Sequence, residues 1–234
     1  MRKTLVFTVA FALAASVTFG QAVRDRNVVP VAVNLNQVLR MTITNGGNIE
    51  FVFNTIDDYK NGLSGDAATS TSANPATSDG FYQTDFTVAS STRWKLSYGS
   101  EEATFIGTDN PANTLALDNV GFTIVNNGAH NFEGSGLAKA TTPGAELFST
   151  PTDNDNTGTA LETYPVDLLE DNDDATSANA GDATDNDFTL VWRCGTAEAF
   201  TVNPMNTVKL IDQQPSPTPD RYVTNVLFEL STDN

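Results

Sequence analysis

Apolar side chains fall on every second residue in segment after segment of this chain, and that period fixes the class of fold. Val29, Val31, Val33, Leu35, Leu39, Met41 and Ile43 occupy odd positions, while Asn34, Asn36, Arg40, Thr42 and Thr44 lie between them. Successive side chains of an extended backbone point to opposite faces, so such a run makes one dry face and one wet one. It predicts a half-buried strand, or two collinear ones. Asn45-Gly46-Gly47-Asn48 then supplies residues that tolerate positive φ, and Ile49, Phe51 and Phe53 resume the alternation. The expected product is a tight hairpin whose return strand covers 49–53. The same period recurs at Phe86 and Val88, at Trp94, Leu96 and Tyr98, and at Val120, Phe122 and Ile124 before the turn Asn126-Asn127-Gly128. Phe188, Leu190, Trp192 and Cys194 share one face of a later strand, and Tyr222, Val226, Phe228 and Leu230 mark the last.

No segment carries a capped apolar stripe at helical spacing. The nearest candidate for a short helix is 164–170, and Pro165 weighs against it. Many short strands separated by Gly, Asn and Pro turns define an all-β protein, an antiparallel β-sandwich of immunoglobulin-like or jelly-roll-like type with long acidic loops. Pro215, Pro217 and Pro219 stiffen an extended lead-in to the final strand and withhold backbone donors there. No repeat of fixed length is present, and nothing in the middle separates two complete strand patterns. The expected organisation is a leader over 1–22 and one sandwich domain over 23–234, with an acidic loop insertion at about 150–187.

The leader is read from Arg2 and Lys3, an apolar run over 5–17, and small residues near Gly20 and Ala22 suited to a signal peptidase. It predicts export, with the mature chain extracellular or at the cell surface and not inserted in a membrane. Removing Arg2 and Lys3 leaves 10 basic residues against 29 acidic ones, a formal charge of −19. Such a surface repels phosphate backbones, which excludes nucleic acid as a natural partner, and disfavours anionic lipid. Multivalent cations and neutral polymers suit it better. Cys194 is the only cysteine, so no disulfide forms within the chain and no lipidated cysteine lies at the cleavage site. Its register with Trp192 predicts a small buried apolar residue rather than a reactive thiol.

Chemistry-bearing residues are few. From 150 to 188 there are 11 acidic residues and no Lys or Arg. Within that tract Asp153, Asp155 and Thr157, followed by Gly158 and Glu162, place oxygen ligands at alternate positions, as the start of a calcium loop does. Glu162 is tenth rather than twelfth, so this is not a helical EF-hand. Asp171 and Asp173 belong to a second cluster with Glu170 and Asp174, and Asp182, Asp185 and Asp187 form a third. Two readings of the tract stand side by side: a calcium site using Asp153, Asp155, Thr157, Glu162, Asp171 and Asp173, or a solvated loop. His130 is the lone histidine and lies in a turn, so a Ser-His-Asp or Cys-His arrangement is not expected. With 29 acids, no pair stands out for glycoside hydrolysis. Trp94 and Trp192 sit in alternating runs, which points to core packing over a sugar-stacking platform. The chain therefore reads as a non-enzyme.

The stretch Val33-Asn34-Leu35 through Asn45-Gly46-Gly47, then Phe51-Val52-Phe53-Asn54-Thr55 and Tyr59-Lys60-Asn61-Gly62, resembles small exported surface proteins of Gram-negative bacteria. Arg221-Tyr222-Val223-Thr224-Asn225-Val226-Leu227-Phe228-Glu229-Leu230 is similar to the last strand of fimbrial-type sandwiches, with Asp220-Arg221-Tyr222 replacing their usual Gly-x-Tyr. The resemblance covers the two ends of the chain, and the acidic middle departs from it. It implies a structural or adhesive surface protein without enzymatic activity, and carries over no functional residue. The expected function is thus an exported structural or adhesive component, a fibre subunit joined to its own kind or to other surface proteins. Val29, Val31, Val33 and Leu35 would form the assembly strand, adding to a neighbour's open sheet edge. The competing expectation is a calcium-dependent carbohydrate-binding module whose partners are glycans.

Overall fold

The computed structural model describes residues 30–64, 82–130, 132, 148–149, 159–170, 178–197 and 203–233. The chain divides into two compact units, 1–36 and 37–234. In the first, residues 30–36 form no ladder, and Val31, Val33 and Leu35 are 84%, 75% and 91% exposed.

The second unit is the sandwich. Its first sheet contains β1 (Leu39–Asn45), β3 (Gln83–Ser90), β11 (Asp187–Cys194), β7 (Val120–Asn126) and β8 (Phe148–Ser149), in that spatial order. The short strands β2 (Leu63–Ser64) and β9 (Thr159–Ala160) extend β11 and β7 respectively. The second sheet runs β10 (Val166–Leu169), β4 (Trp94–Ser100), β13 (Val226–Thr232). A third, smaller sheet joins β12 (Tyr222–Val223), β5 (Thr104–Gly107) and β6 (Thr114–Ala116). Apart from the parallel pair β7–β8, these strand pairings are antiparallel.

The period-two reading accounts for the core. Strand β3 alternates without exception between half-buried and buried residues, with Phe86 and Val88 fully covered. Pairing places Phe86 opposite Phe188 on β11, and Leu190 and Trp192 opposite Ile124 and Phe122 on β7, so one apolar face runs across the sheet. Against it stand Trp94, Leu96 and Tyr98 of β4. Aromatic rings bridge the two layers: Trp94 to Phe188 at 6.2 Å, Tyr98 edge-on to Phe122 at 5.1 Å, and Phe86 to Phe228 at 6.3 Å. Phe132 fills the space beside Trp94 and Phe188.

Three expectations require correction. The strand expected from Val29 begins only at Leu39, and Ile43 near its end is 46% exposed. The return strand over 49–53 is not formed: that segment has no ladder partner, and β1 pairs with β3 instead. Ile49, Phe51 and Phe53 still turn inward, with the Phe51 ring 4.4 Å from Tyr82 and Phe53 5.2 Å from Tyr59. Alternation reports one dry face and one wet face, and an unpaired extended segment lying on a core has both. Gly46 does sit at positive φ, +66°, but its task is close approach: a Cβ there would lie 1.7 Å from the carbonyl oxygen of Gln83. Lastly, a capped helix exists. Residues Ile56–Asn61 form α1, where Asp58 N–H donates to the Thr55 hydroxyl at 3.1 Å and Thr55 N–H donates to the Asp58 carboxylate at 2.8 Å, a reciprocal cap. Six residues are too few to show an apolar stripe, which is why periodicity misses it. The segment 164–170, by contrast, holds strand β10.

Candidate functional site

Of the residues expected to bind calcium, Asp153, Asp155, Thr157, Asp171 and Asp173 lie outside the described residues. Glu162 is half-buried, and its backbone carbonyl accepts the Ser100 N–H at 2.7 Å. Burial first, and the Glu162 charge second, push the Tyr98 hydroxyl well above its ordinary pKa. Among the third acidic cluster, Asp182 and Asp185 build a turn for themselves. Asp182 accepts the Thr184 N–H at 2.7 Å, and Asp185 accepts the Asp182 N–H at 3.0 Å. The Thr184 backbone bond, the strongest influence, holds the Asp182 carboxyl below its usual range. Asp187 is shifted the other way, by burial and then by Asp85. Among the described residues no three metal-ligating side chains converge.

The remaining candidates resolve into packing. Cys194 is 4% exposed, and burial pushes its thiol up to about 12, far from the thiolate a nucleophile needs. Trp94 and Trp192 are buried, and each satisfies its indole N–H, on the Asn179 carbonyl and the Thr84 hydroxyl, both at 3.0 Å. Neither offers a face to a sugar. His130 lies in the turn after β7 with Nδ1 3.0 Å from the Asn186 side-chain oxygen.

Two surfaces stand apart. The first is the side bounded by β1 and β13. Each of these strands pairs on one side only among the described residues, β1 with β3 and β13 with β4, and the two approach one another there. Their inward residues, Leu39 and Met41 on β1 and Val226, Phe228 and Leu230 on β13, pack on the core but stay half-buried. The neighbouring strands β3 and β4 bury theirs completely. Leu227 remains 39% exposed. The apolar side here is only half-covered, and the backbone edges beside it have no further ladder partner among the described residues. The second surface is a groove of about 520 Å³ beside β6, floored by 112–116 and walled by 213–218, Asn206, Val208 and Tyr222. Sequence reasoning missed it, because floor and walls come from loops some ninety residues or more apart, without periodicity to announce them.

No model of a known family matches this chain, and no curated protein matches it either. The fold is an all-β sandwich, and neither finding bears on a fimbrial-type relationship.

Proposed function

We propose that the protein is an exported structural or adhesive component of the cell surface that works without catalysis and associates by strand addition. The observation that carries this reading is the half-covered apolar side between β1 and β13 in a chain that also holds an exposed, alternating apolar segment. Val29, Val31, Val33 and Leu35 of one copy would add a strand at that side of the next. Their backbone would take up free edge groups, and their side chains would cover Met41, Val226 and Phe228. Burying each valine or leucine is worth about 1.5–3 kcal/mol, so the apolar face alone offers several kcal/mol toward association. The alternation sets register, since a slip by one residue would turn the valines to water. The Asn34 and Asn36 side chains, on the opposite face, suit solvent.

Removing residues 23–33 tests this. The truncated protein should melt as the full mature chain does yet remain monomeric by light scattering, with no filaments under the electron microscope. Assembly equal to that of the full chain would eliminate strand addition.

A further inference from the structure

The groove beside β6 is chemically unlike the rest of the molecule. The chain carries 29 acidic and 12 basic residues, but no described residue lining the groove is charged. Its lining is amide, hydroxyl, proline and one aromatic ring, with the aliphatic side chains of Leu115, Val208 and two alanines between them. The backbone contributes as well. Gly107 N–H donates to the Asn113 carbonyl at 2.9 Å, which makes Ile106 and Thr114 a non-hydrogen-bonded pair in the β5–β6 ladder. In an antiparallel ladder the members of such a pair direct N–H and C=O away from each other's strand. Thr114 therefore presents both groups at the free side of β6, and it is exposed.

Floor and walls are both fixed before any ligand arrives. Asn113 donates its side-chain N–H to Asp220 at 2.9 Å, and Asn206 bonds Asp118. Each carboxylate stands behind an amide and orients it. The Gln213 amide donates to the Val208 carbonyl at 3.1 Å and also to Asn119. Tyr222 donates its hydroxyl to the Thr218 carbonyl at 2.7 Å, which holds its ring at the groove. Gln214 and Ser216 are exposed at the rim. A volume of 520 Å³ lies within the roughly 300–1,000 Å³ of small-molecule sites.

We infer that this groove binds a short neutral oligosaccharide. A phosphate or carboxylate ligand would meet no guanidinium or ammonium in the groove and would approach a strongly acidic protein. A cationic ligand would be drawn to the carboxylates elsewhere on the surface. A purely apolar ligand would desolvate the Thr114 backbone and the Gln214 amide without giving them partners, which is costly. A sugar offers hydroxyls that both donate and accept toward amides and backbone, and a C–H face that fits the Tyr222 ring and the prolines. This site is independent of strand addition and needs no calcium.

The test is nuclear magnetic resonance on the full mature chain, titrated to millimolar with tetrasaccharides of glucose, mannose, galactose and N-acetylglucosamine. Polygalacturonate and a synthetic peptide of residues 29–37 serve as comparisons. At least one neutral tetrasaccharide should shift the amides of Thr114, Leu115 and Ser216 in a saturable way. Gln214→Glu and Ser216→Asp, at exposed positions, should each weaken that binding roughly tenfold or more while the melting temperature is unchanged. The truncation of residues 23–33 should leave it intact. Absence of saturable shifts from every neutral sugar, shifts located away from the groove, undiminished binding by both variants, or a stronger response to peptide or polygalacturonate would each overturn the inference.

Discussion

Replacing Phe188 by alanine probes the junction on which the two sheets depend. Phe188 is fully buried and its ring lies 5.1 Å from Phe86, 5.0 Å from Phe132 and 6.2 Å from Trp94. Truncation removes the ring from all three at once. Buried Phe→Ala substitutions cost about 3–5 kcal/mol, and a ring with three aromatic neighbours belongs in the upper half of that range. For a domain of this size 1 kcal/mol moves the melting temperature by about 2–4 °C, so a loss of about 4 kcal/mol corresponds to a fall of roughly 8–16 °C. Phe188→Leu keeps much of the volume and should fall less, which guards against a variant too unstable to measure. Val52→Ala supplies the contrast: Val52 is 51% exposed on the outward side of its segment, and its loss should stay within about 0.5 kcal/mol. Thermal unfolding followed by circular dichroism measures all three. If Phe188→Ala melts within a degree or two of Val52→Ala, the sheets do not meet at this residue and the core is not built as described.

The Cys194 thiol, buried and raised to about 12, should resist a thiol reagent in the native state and react stoichiometrically in denaturant, and rapid native labelling would contradict its burial. Asp220 accepts the N–H groups of Asp109 at 3.0 Å, Asn110 at 3.2 Å and Arg221 at 2.7 Å, and the Asp109 bond chiefly lowers its pKa. A carboxylate depressed in the folded state contributes its stabilisation above its unfolded pKa of about 3.9 and loses it as pH falls through the lower folded value. Hydrogen exchange at Asp109 and Asn110 should therefore lose protection only at acid pH, and Asp220→Asn should lower that protection at neutral pH; indifference of both would refute the anchor. For the acidic tract, the solvated-loop reading predicts superimposable melting curves in chelator and in added calcium. A calcium-dependent rise of several degrees would establish a site there instead.

Much of the fold is legible in the residues because burial writes itself as alternation. Phe86, Val88, Trp94, Leu96, Phe122, Ile124, Phe188 and Leu190 all face the interior that their spacing demands. Alternation does not say which strand pairs with which, so spacing alone joins β1 to 49–53 when its partner is β3, beyond α1 and β2 in the chain. Nor does it register a six-residue helix whose signals lie in its ends, the Thr55–Asp58 cap and Gly62 at positive φ, and not in a period. The valines at 31 and 33 can be read as apolar and alternating, but spacing does not say that they stand exposed outside any ladder. The groove beside β6 is invisible at that level because amides and hydroxyls in separate loops carry no period. Their common feature is absence of charge, which becomes meaningful only once the fold gathers them.

Strand addition is tested most directly by hydrogen exchange compared between dilute and concentrated mature protein. Protection should rise with concentration at residues 30–36 and along β1 and β13, and nowhere in β3, β4 or β11, which are already paired on both sides. Unchanged protection at β1 and β13 in a sample that demonstrably associates would contradict the account.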